Sequence, residues 1–331
     1  VKVADLPRYV ELFESGELER RVLALEARLE HCDICPRRCG ANRLTGEIGS
    51  CNAGMLVAVA SVCAHTGEEP AISGTKGSGT IFFGNCNLMC VYCQNFQISQ
   101  DPSGQSHNEV TVSRLANRML HVQNDLGCHN LNLVSPTHYM PQIMRALLEA
   151  VPRGFRLPIV YNTNAYDEVS TLQELEGVVD IYLPDLKYAS NSIAMKLSDV
   201  AHYVPSARAA IKEMYRQVGQ LEVDDDGIAV KGLIIRHLIL PSDLSGSEDS
   251  MKWIAAELSP LVTVSVMSQY YPRHKALEIP LLARSINSAE HRKVINILDV
   301  LGMENGWLQG DGAQEYYLPD FTADRHPFEK G

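Results

Sequence analysis

Seven of the nine cysteines in this chain fall into two tight groups: Cys32, Cys35, Cys39 and Cys51, then Cys86, Cys90 and Cys93. Clustered thiols outside a short secreted scaffold are more often metal ligands or catalytic groups than disulfides. The later group stands in IFFGNCNLMCVYCQN as C-x3-C-x2-C. Three thiolates on a cubane of four irons leave one iron without a protein ligand. That corner can take the amino and carboxylate groups of S-adenosylmethionine (SAM), whose sulfonium a single electron then cleaves to a 5′-deoxyadenosyl radical. The cofactor supplies this chemistry while the protein orients and shields it. Cys86, Cys90 and Cys93 are therefore the expected ligands of a catalytic [4Fe-4S] cluster, and Tyr92 is placed to lie against the adenine. A zinc knuckle is the competing account, but it needs a fourth ligand close by.

The earlier group is spaced C-x2-C-x3-C-x11-C among glycines and prolines and reads as a complete four-ligand site. Tetrahedral zinc and a second iron–sulfur cluster both satisfy four thiolates. Three ligands within eight residues lean toward iron–sulfur, and the metal stays open at this point. Cys63 and Cys128 are expected to behave as small buried hydrophobes. His65, Glu68 and Glu69 read as a solvated loop, with the mouth of an active site as the alternative.

The elements that must hold these groups follow from periodicity. Residues 4–30 carry apolar positions at helical spacing with a break near Gly16, and 56–63 (LVAVASVC) reads as a strand. From 80 onward, short apolar runs at 80–83, 131–134, 159–162, 180–183, 233–240 and 262–267 alternate with helical segments near 111–126, 140–150, 168–176, 191–217, 247–258 and 288–301. Strand-then-helix repetition predicts an α/β fold with a parallel sheet. Six units are too few for an eight-unit barrel, so an open partial barrel is expected, with a doubly wound sheet as the alternative. The domains read as 1–73, an N-terminal helix and cysteine-rich metal-binding extension; 74–301, the partial barrel; and 302–331, an aromatic tail with Trp307, Tyr316, Tyr317, Pro319 and Phe321 packed on the barrel. The cysteine loop leaves the first strand of the barrel at its C-terminal end, where barrels of βα units place their active sites.

The loop and its flanks, EEPAISGTKGSGTIFF and CQNFQIS, resemble the PflX-like branch of radical SAM proteins, which is similar to pyruvate formate-lyase activating enzyme. The resemblance runs from the CDICPRRC knuckle to the YYLPDF tail. It implies a partial (β/α)6 radical SAM barrel, SAM as cosubstrate and hydrogen abstraction from a substrate, with a glycine of a glycyl-radical enzyme as the leading candidate. Radical modification of a small molecule or another peptide residue is the alternative, and a non-catalytic iron–sulfur or zinc protein is the rival from another class. The implied electron donor is a flavodoxin or ferredoxin.

The same resemblance marks further site residues. Asn162-Thr163-Asn164 stands where the activating enzymes carry Asp-Thr-Asn, and Asp185-Leu186-Lys187 matches their Asp-x-Lys. Those aspartates help to hold a monovalent cation beside the SAM carboxylate, so Asn162 leaves such a site one charge short. Arg236, inside an apolar strand, needs a partner anion if it points inward, and the SAM carboxylate is the expected one. His274 matches a histidine near SAM. Ser135-Pro136-Thr137-His138 replaces a Gly-Gly-Glu-Pro element, so the Ser135 and Thr137 hydroxyls are the expected acceptors for the SAM ammonium. His138 reads as a substrate-side group or a helix-entry residue.

Composition narrows the partners. A formal net charge of −11 argues against a nucleic-acid scaffold, which shows a basic footprint. No apolar run reaches the length of a membrane span, and no signal-peptide pattern stands at the N-terminal end, so a cytoplasmic protein with no nucleic-acid and no membrane partner is expected.

Overall fold

The computed structural model describes residues 6–101, 105–310, 318–322 and 326–328. Tyr316 and Tyr317 lie outside them. Ten strands form one sheet: β1 (Val57–His65), β2 (Ser78–Phe83), β3 (Glu109–Val110), β4 (Leu131–Val134), β5 (Ile159–Thr163), β6 (Ile181–Pro184), β7 (Glu222–Val223), β8 (Ala229–Leu238), β9 (Thr263–Met267) and β10 (Gly306–Leu308). Their order is β10-β9-β8-β6-β5-β4-β2-β1-β3, with β7 paired to β8.

The run from β2 to β10 is parallel and rises in sequence order without a reversal. A doubly wound sheet reverses at a switch point. Here every crossover turns the same way, which puts the helices on one face and curls the other face inward. The strand alternation shows this directly. Val160, Ile181, Leu183 and Ile234 form a small inner core with Ala71 and Ile72 from the short helix Pro70–Ser73. Ile81, Leu133, Tyr161, Tyr182 and Ile235 belong to the large core beneath the helices.

Six expected strands are present, and two features extend the sheet beyond them. β1 pairs antiparallel with β2, so the sheet runs through the boundary expected at residue 74. β10 pairs parallel with β9 and brings part of the tail into the sheet. The expected helix 191–217 is two helices, Asn191–Ser198 and Tyr203–Val218, because Asp199 turns left-handed at φ 55°. At the N-terminal end, Tyr9–Glu14 and Glu17–Ala27 are separated by Gly16 at φ 78°. Among the described residues, no helix is long and apolar enough to cross a membrane.

Candidate functional site

The cysteine loop begins where β2 ends. Asn85 is left-handed at φ 64°, and the chain then crosses the C-terminal edge of the sheet. Backbone N–H groups of Met89 and Val91 donate to the carbonyls of Ser198 and Leu197, which dock the loop on the end of the helix Asn191–Ser198. Gln100 donates to the Cys90 carbonyl at 2.8 Å. Each thiol has a polar neighbour: Asn164 Nδ2 at 3.5 Å from Cys86 Sγ, Ser198 Oγ at 3.0 Å from Cys90 Sγ, and Ser99 Oγ at 3.2 Å from Cys93 Sγ. Burial pushes the thiol of Cys86 up to about 12 and that of Cys93 to about 11, with neighbouring cysteines adding to both and Lys187 opposing. None of the nine cysteines is in a disulfide.

The three thiols line one cavity of about 290 Å3. No other cysteine lines it among the described residues, which suits a cluster with an open corner. No compact set of three His, Cys, Asp or Glu ligands for a single ion is present among the described residues either. A cubane is wider than one ion and holds its thiolates farther apart.

Below the loop lies a buried charge network built from neighbouring strands. Thr163, Asp185 and Arg236 are brought side by side where the Asp185 N–H donates to the Thr163 carbonyl and Asp185 bridges Arg236. Asp185 accepts from Lys187 Nζ at 2.7 Å and from Arg236 Nε at 2.7 Å. Arg236 also donates to Glu68 at 3.1 Å and to Asn162 Oδ1 at 3.0 Å. Burial raises the Asp185 carboxyl, but Arg236 and Lys187 outweigh it and hold the group down at about 2. Burial likewise works against charge on Lys187, and Asp185 and Cys90 reverse it, so the ammonium is favoured.

The expected site residues separate into two sets. Tyr92, Ser135, Asn162, Thr163, Asp185, Lys187 and Arg236 line the cavity with the three cysteines. The Asp185–Lys187 pair is largely buried. Arg236 points inward as expected, but its anions are Asp185 and Glu68 of the chain itself. A strand arginine this far inside is compensated within the fold, so no ligand carboxylate is required to offset it. Thr137 is corrected: its hydroxyl donates to Asp167 at 2.7 Å, beneath the cavity wall. Thr163 Oγ1 and the Tyr161 hydroxyl donate to the same carboxylate at 2.6 and 2.7 Å. His274 is not among the residues that line the cavity; it stacks on Phe96 at 5.0 Å and lies 3.3 Å from Gln100 Oε1, on the segment that follows the cysteine loop. His138 faces neither the cavity nor solvent; it lies beside the N-terminal cysteines, and burial lowers its imidazole to about 4.

For Glu68 and Glu69 the structure favours the alternative, the mouth of the cavity, over the solvated loop. Both line the cavity, Glu69 is buried, and its Oε2 has no partner. Burial raises both carboxyl groups. The sequence signal for that place is the apolar Ala71-Ile72 that follows, which packs against Val160, Ile181, Leu183 and Ile234 on the inner face of the sheet. The tail also reaches this region. Phe328 stacks on His65 at 4.2 Å, Phe321 meets Phe82 edge-on at 5.3 Å, and Trp307, Gln309, Pro319 and Phe328 line the cavity.

Cys32, Cys35, Cys39 and Cys51 line a second, small cavity with Arg43 and His138. Cys63 and Cys128 are buried, as expected.

No family model matches the chain. A curated protein of Methanocaldococcus jannaschii, described as uncharacterized protein MJ0674, is 30% identical over 301 residues, covering 89% of this chain and 82% of its own. The chain belongs to the MJ0674 family. The solved structure titled "Native anSMEcpe with bound AdoMet" shares 11% identity and a TM-score of 0.40, over 70% of this chain and 59% of that one. The chain therefore spans about three fifths of that structure's length. The likeness is weak, and it is to that protein rather than to the branch named from the sequence motifs.

Proposed function

We propose that this member of the MJ0674 family is a radical SAM enzyme. The observation that carries the reading is the set of three thiols, Cys86, Cys90 and Cys93, on the wall of a cavity whose floor is a buried charge network from β5, β6 and β8. Those thiols would hold a [4Fe-4S] cluster with one iron open to SAM, and the chemistry it would supply there is one-electron reductive cleavage of SAM for hydrogen abstraction from a substrate.

The chain's own groups do the rest. Lys187, kept charged by Asp185, sits on the cavity wall where it offsets thiolate charge, since Lys187 opposes the raised pKa of all three cysteines. Ser135, left-handed at φ 56° with its N–H donated to the Asn162 carbonyl, lines the cavity, where its hydroxyl would accept from the SAM ammonium. Asn162 and Arg236 fix one another and set the floor. Tyr92, buried against Tyr188 and Tyr270, presents a rigid aromatic wall. The four N-terminal cysteines are a second metal site, and a flavodoxin or ferredoxin is the proposed electron donor to a cytoplasmic enzyme.

The substrate reading carried by motif resemblance is a glycine of a glycyl-radical enzyme. A small molecule is the second reading, favoured by a cavity covered in part by Phe328 and Pro319 and floored by Glu68 and Glu69. Anaerobic reconstitution followed by electron paramagnetic resonance with and without SAM, and assay for 5′-deoxyadenosine and methionine, tests the central claim. A cluster signal that ignores SAM, or products unchanged in Cys90→Ala, would defeat it. Isotope transfer from labelled glycine of a candidate protein into 5′-deoxyadenosine separates the two substrate readings.

A further inference from the structure

The cavity of the four N-terminal cysteines has a feature that no packing void requires. Arg43 is 1% exposed, donates NH1 to the His138 carbonyl at 2.7 Å and NH2 to the Gly54 carbonyl at 2.6 Å, and leaves Nε buried without a partner. Among the described residues it forms no ion pair. Its guanidinium also lies 6.0 Å from the centroid of the Tyr139 ring, but carbonyls and a ring face carry no full negative charge, and a buried guanidinium without one is costly. It lines the same cavity as Cys32, Cys35, Cys39 and Cys51, as does His138, whose Nδ1 is also buried and unpaired. Four thiolates outweigh the positive charge of the metal they bind, so a tetrathiolate centre is a net anion and the missing partner of Arg43. Space has been kept for the fourth ligand: a Cβ on Gly49 would collide with the Cys39 sulfur.

Two observations favour a redox centre over a structural ion. The knuckle is already held by the fold: Cys32, Ile34, Cys51 and Ala53 sit in the main core, and Thr171 donates to the Ile34 carbonyl at 2.8 Å. A zinc that folds a segment is needed where no such core exists. The knuckle also abuts the other thiols. Arg37 Nε donates to the Asn87 carbonyl at 2.6 Å, which ties the knuckle to the residue after Cys86. The Asn87 side chain accepts from Asn164, which in turn lies against Cys86 Sγ.

We propose that Cys32, Cys35, Cys39 and Cys51 hold a second iron–sulfur cluster with Arg43 as its buried counter-cation, one side chain away from the cluster of Cys86, Cys90 and Cys93. Loaded, it would accept one electron from a low-potential flavin or iron–sulfur protein and give it up past Asn87 to the cluster of Cys86, Cys90 and Cys93, returning to its oxidised state with no atom transferred. The cluster itself does not rest on the SAM reading; the electron step does.

The test separates the two. Cys86, Cys90 and Cys93 are changed together to Ala, and the chain is reconstituted anaerobically with ferrous iron and sulfide, in parallel with zinc. The expected result is about four irons per chain and a resonance signal on reduction that SAM leaves unchanged. Zinc taken up in place of iron, or no metal bound, overturns the proposal. In that background Arg43→Leu is expected to lose the cluster or to make it harder to reduce, and Arg43→Lys to restore it; an unaltered midpoint potential in Arg43→Leu removes the counter-cation. In the otherwise intact chain, Cys32→Ala with Cys35→Ala is expected to slow reduction of the remaining cluster by reduced flavodoxin about tenfold. An equal rate eliminates the electron step while leaving the site standing.

Discussion

Asp185 holds two cations in a buried setting, and its neighbours decide its chemistry. Removing its charge strands Lys187 and Arg236 together, so Asp185→Asn is expected to cost about 3–5 kcal/mol in urea unfolding. Its folded pKa of about 2 lies below the ordinary 3.8, so its contribution is fully present above pH 4 and is lost as pH falls through 2. The unfolding midpoint of the wild-type chain should therefore drop across that window more than that of Asp185→Asn; parallel curves would refute the ion pair. Legibility at this scale was uneven for a physical reason. An arginine inside LIIRHLIL announces a buried charge, because apolar neighbours on a strand leave it few solvated directions. Glu68-Glu69 left two readings open, since two adjacent acids in a loop are ordinarily solvated, and it is the tertiary packing of Ala71 and Ile72 just after them that goes with their inward place.

At the scale of elements, one carboxylate joins the ends of two strands. Asp167, beyond β5, accepts from Thr163 of that strand, from Tyr161 and from Thr137 in the turn after β4. Asp167→Ala would take the shared carboxylate from three buried hydroxyls, leaving them only their 3.3 Å contacts with one another, and is expected to cost about 2–4 kcal/mol. Hydrogen exchange should speed up first at 135–139 and 162–167; a change spread evenly over the sheet would contradict a local clamp. Gly49→Ala acts on the knuckle alone. It is expected to cut metal content per chain with little effect on melting, and metal content equal to wild type would show that the knuckle yields without loss of ligands. Strands and helices were legible from periodicity because each buries one face. The break after Ser198 was not, since it depends on one left-handed residue, Asp199, and that break is what delivers the Ser198 hydroxyl to Cys90. Thr137 was misread because the partner that claims its hydroxyl lies thirty residues away in sequence.

Across the whole molecule, single winding leaves the inner face of the sheet open at one end, and the chain covers that end with its own tail. Asp320 closes the segment on itself through its N–H to the Pro327 carbonyl at 2.7 Å and accepts from Gln97 Nε2 at 3.3 Å, and Phe321 N–H donates to the same Gln97, which lies in the helix that carries Ser99 to Cys93. His326 lies 3.2 Å from the Ala64 carbonyl of β1, so both edges of the cover rest on the sheet. Rings that stack on His65 and Phe82 exclude water from the cavity, and water exclusion strengthens every charge interaction inside it. Phe321→Ala combined with Phe328→Ala should therefore weaken SAM binding roughly tenfold, equivalent to about 1.4 kcal/mol, by calorimetric titration of the reconstituted protein. The barrel core does not include these rings, so the melting temperature should fall far less than in a variant of the inner core such as Ile234→Ala. Equal SAM affinity in the double variant would mean that the cover belongs to the substrate's side of the cavity, and the loss should then appear in substrate binding with SAM cleavage retained.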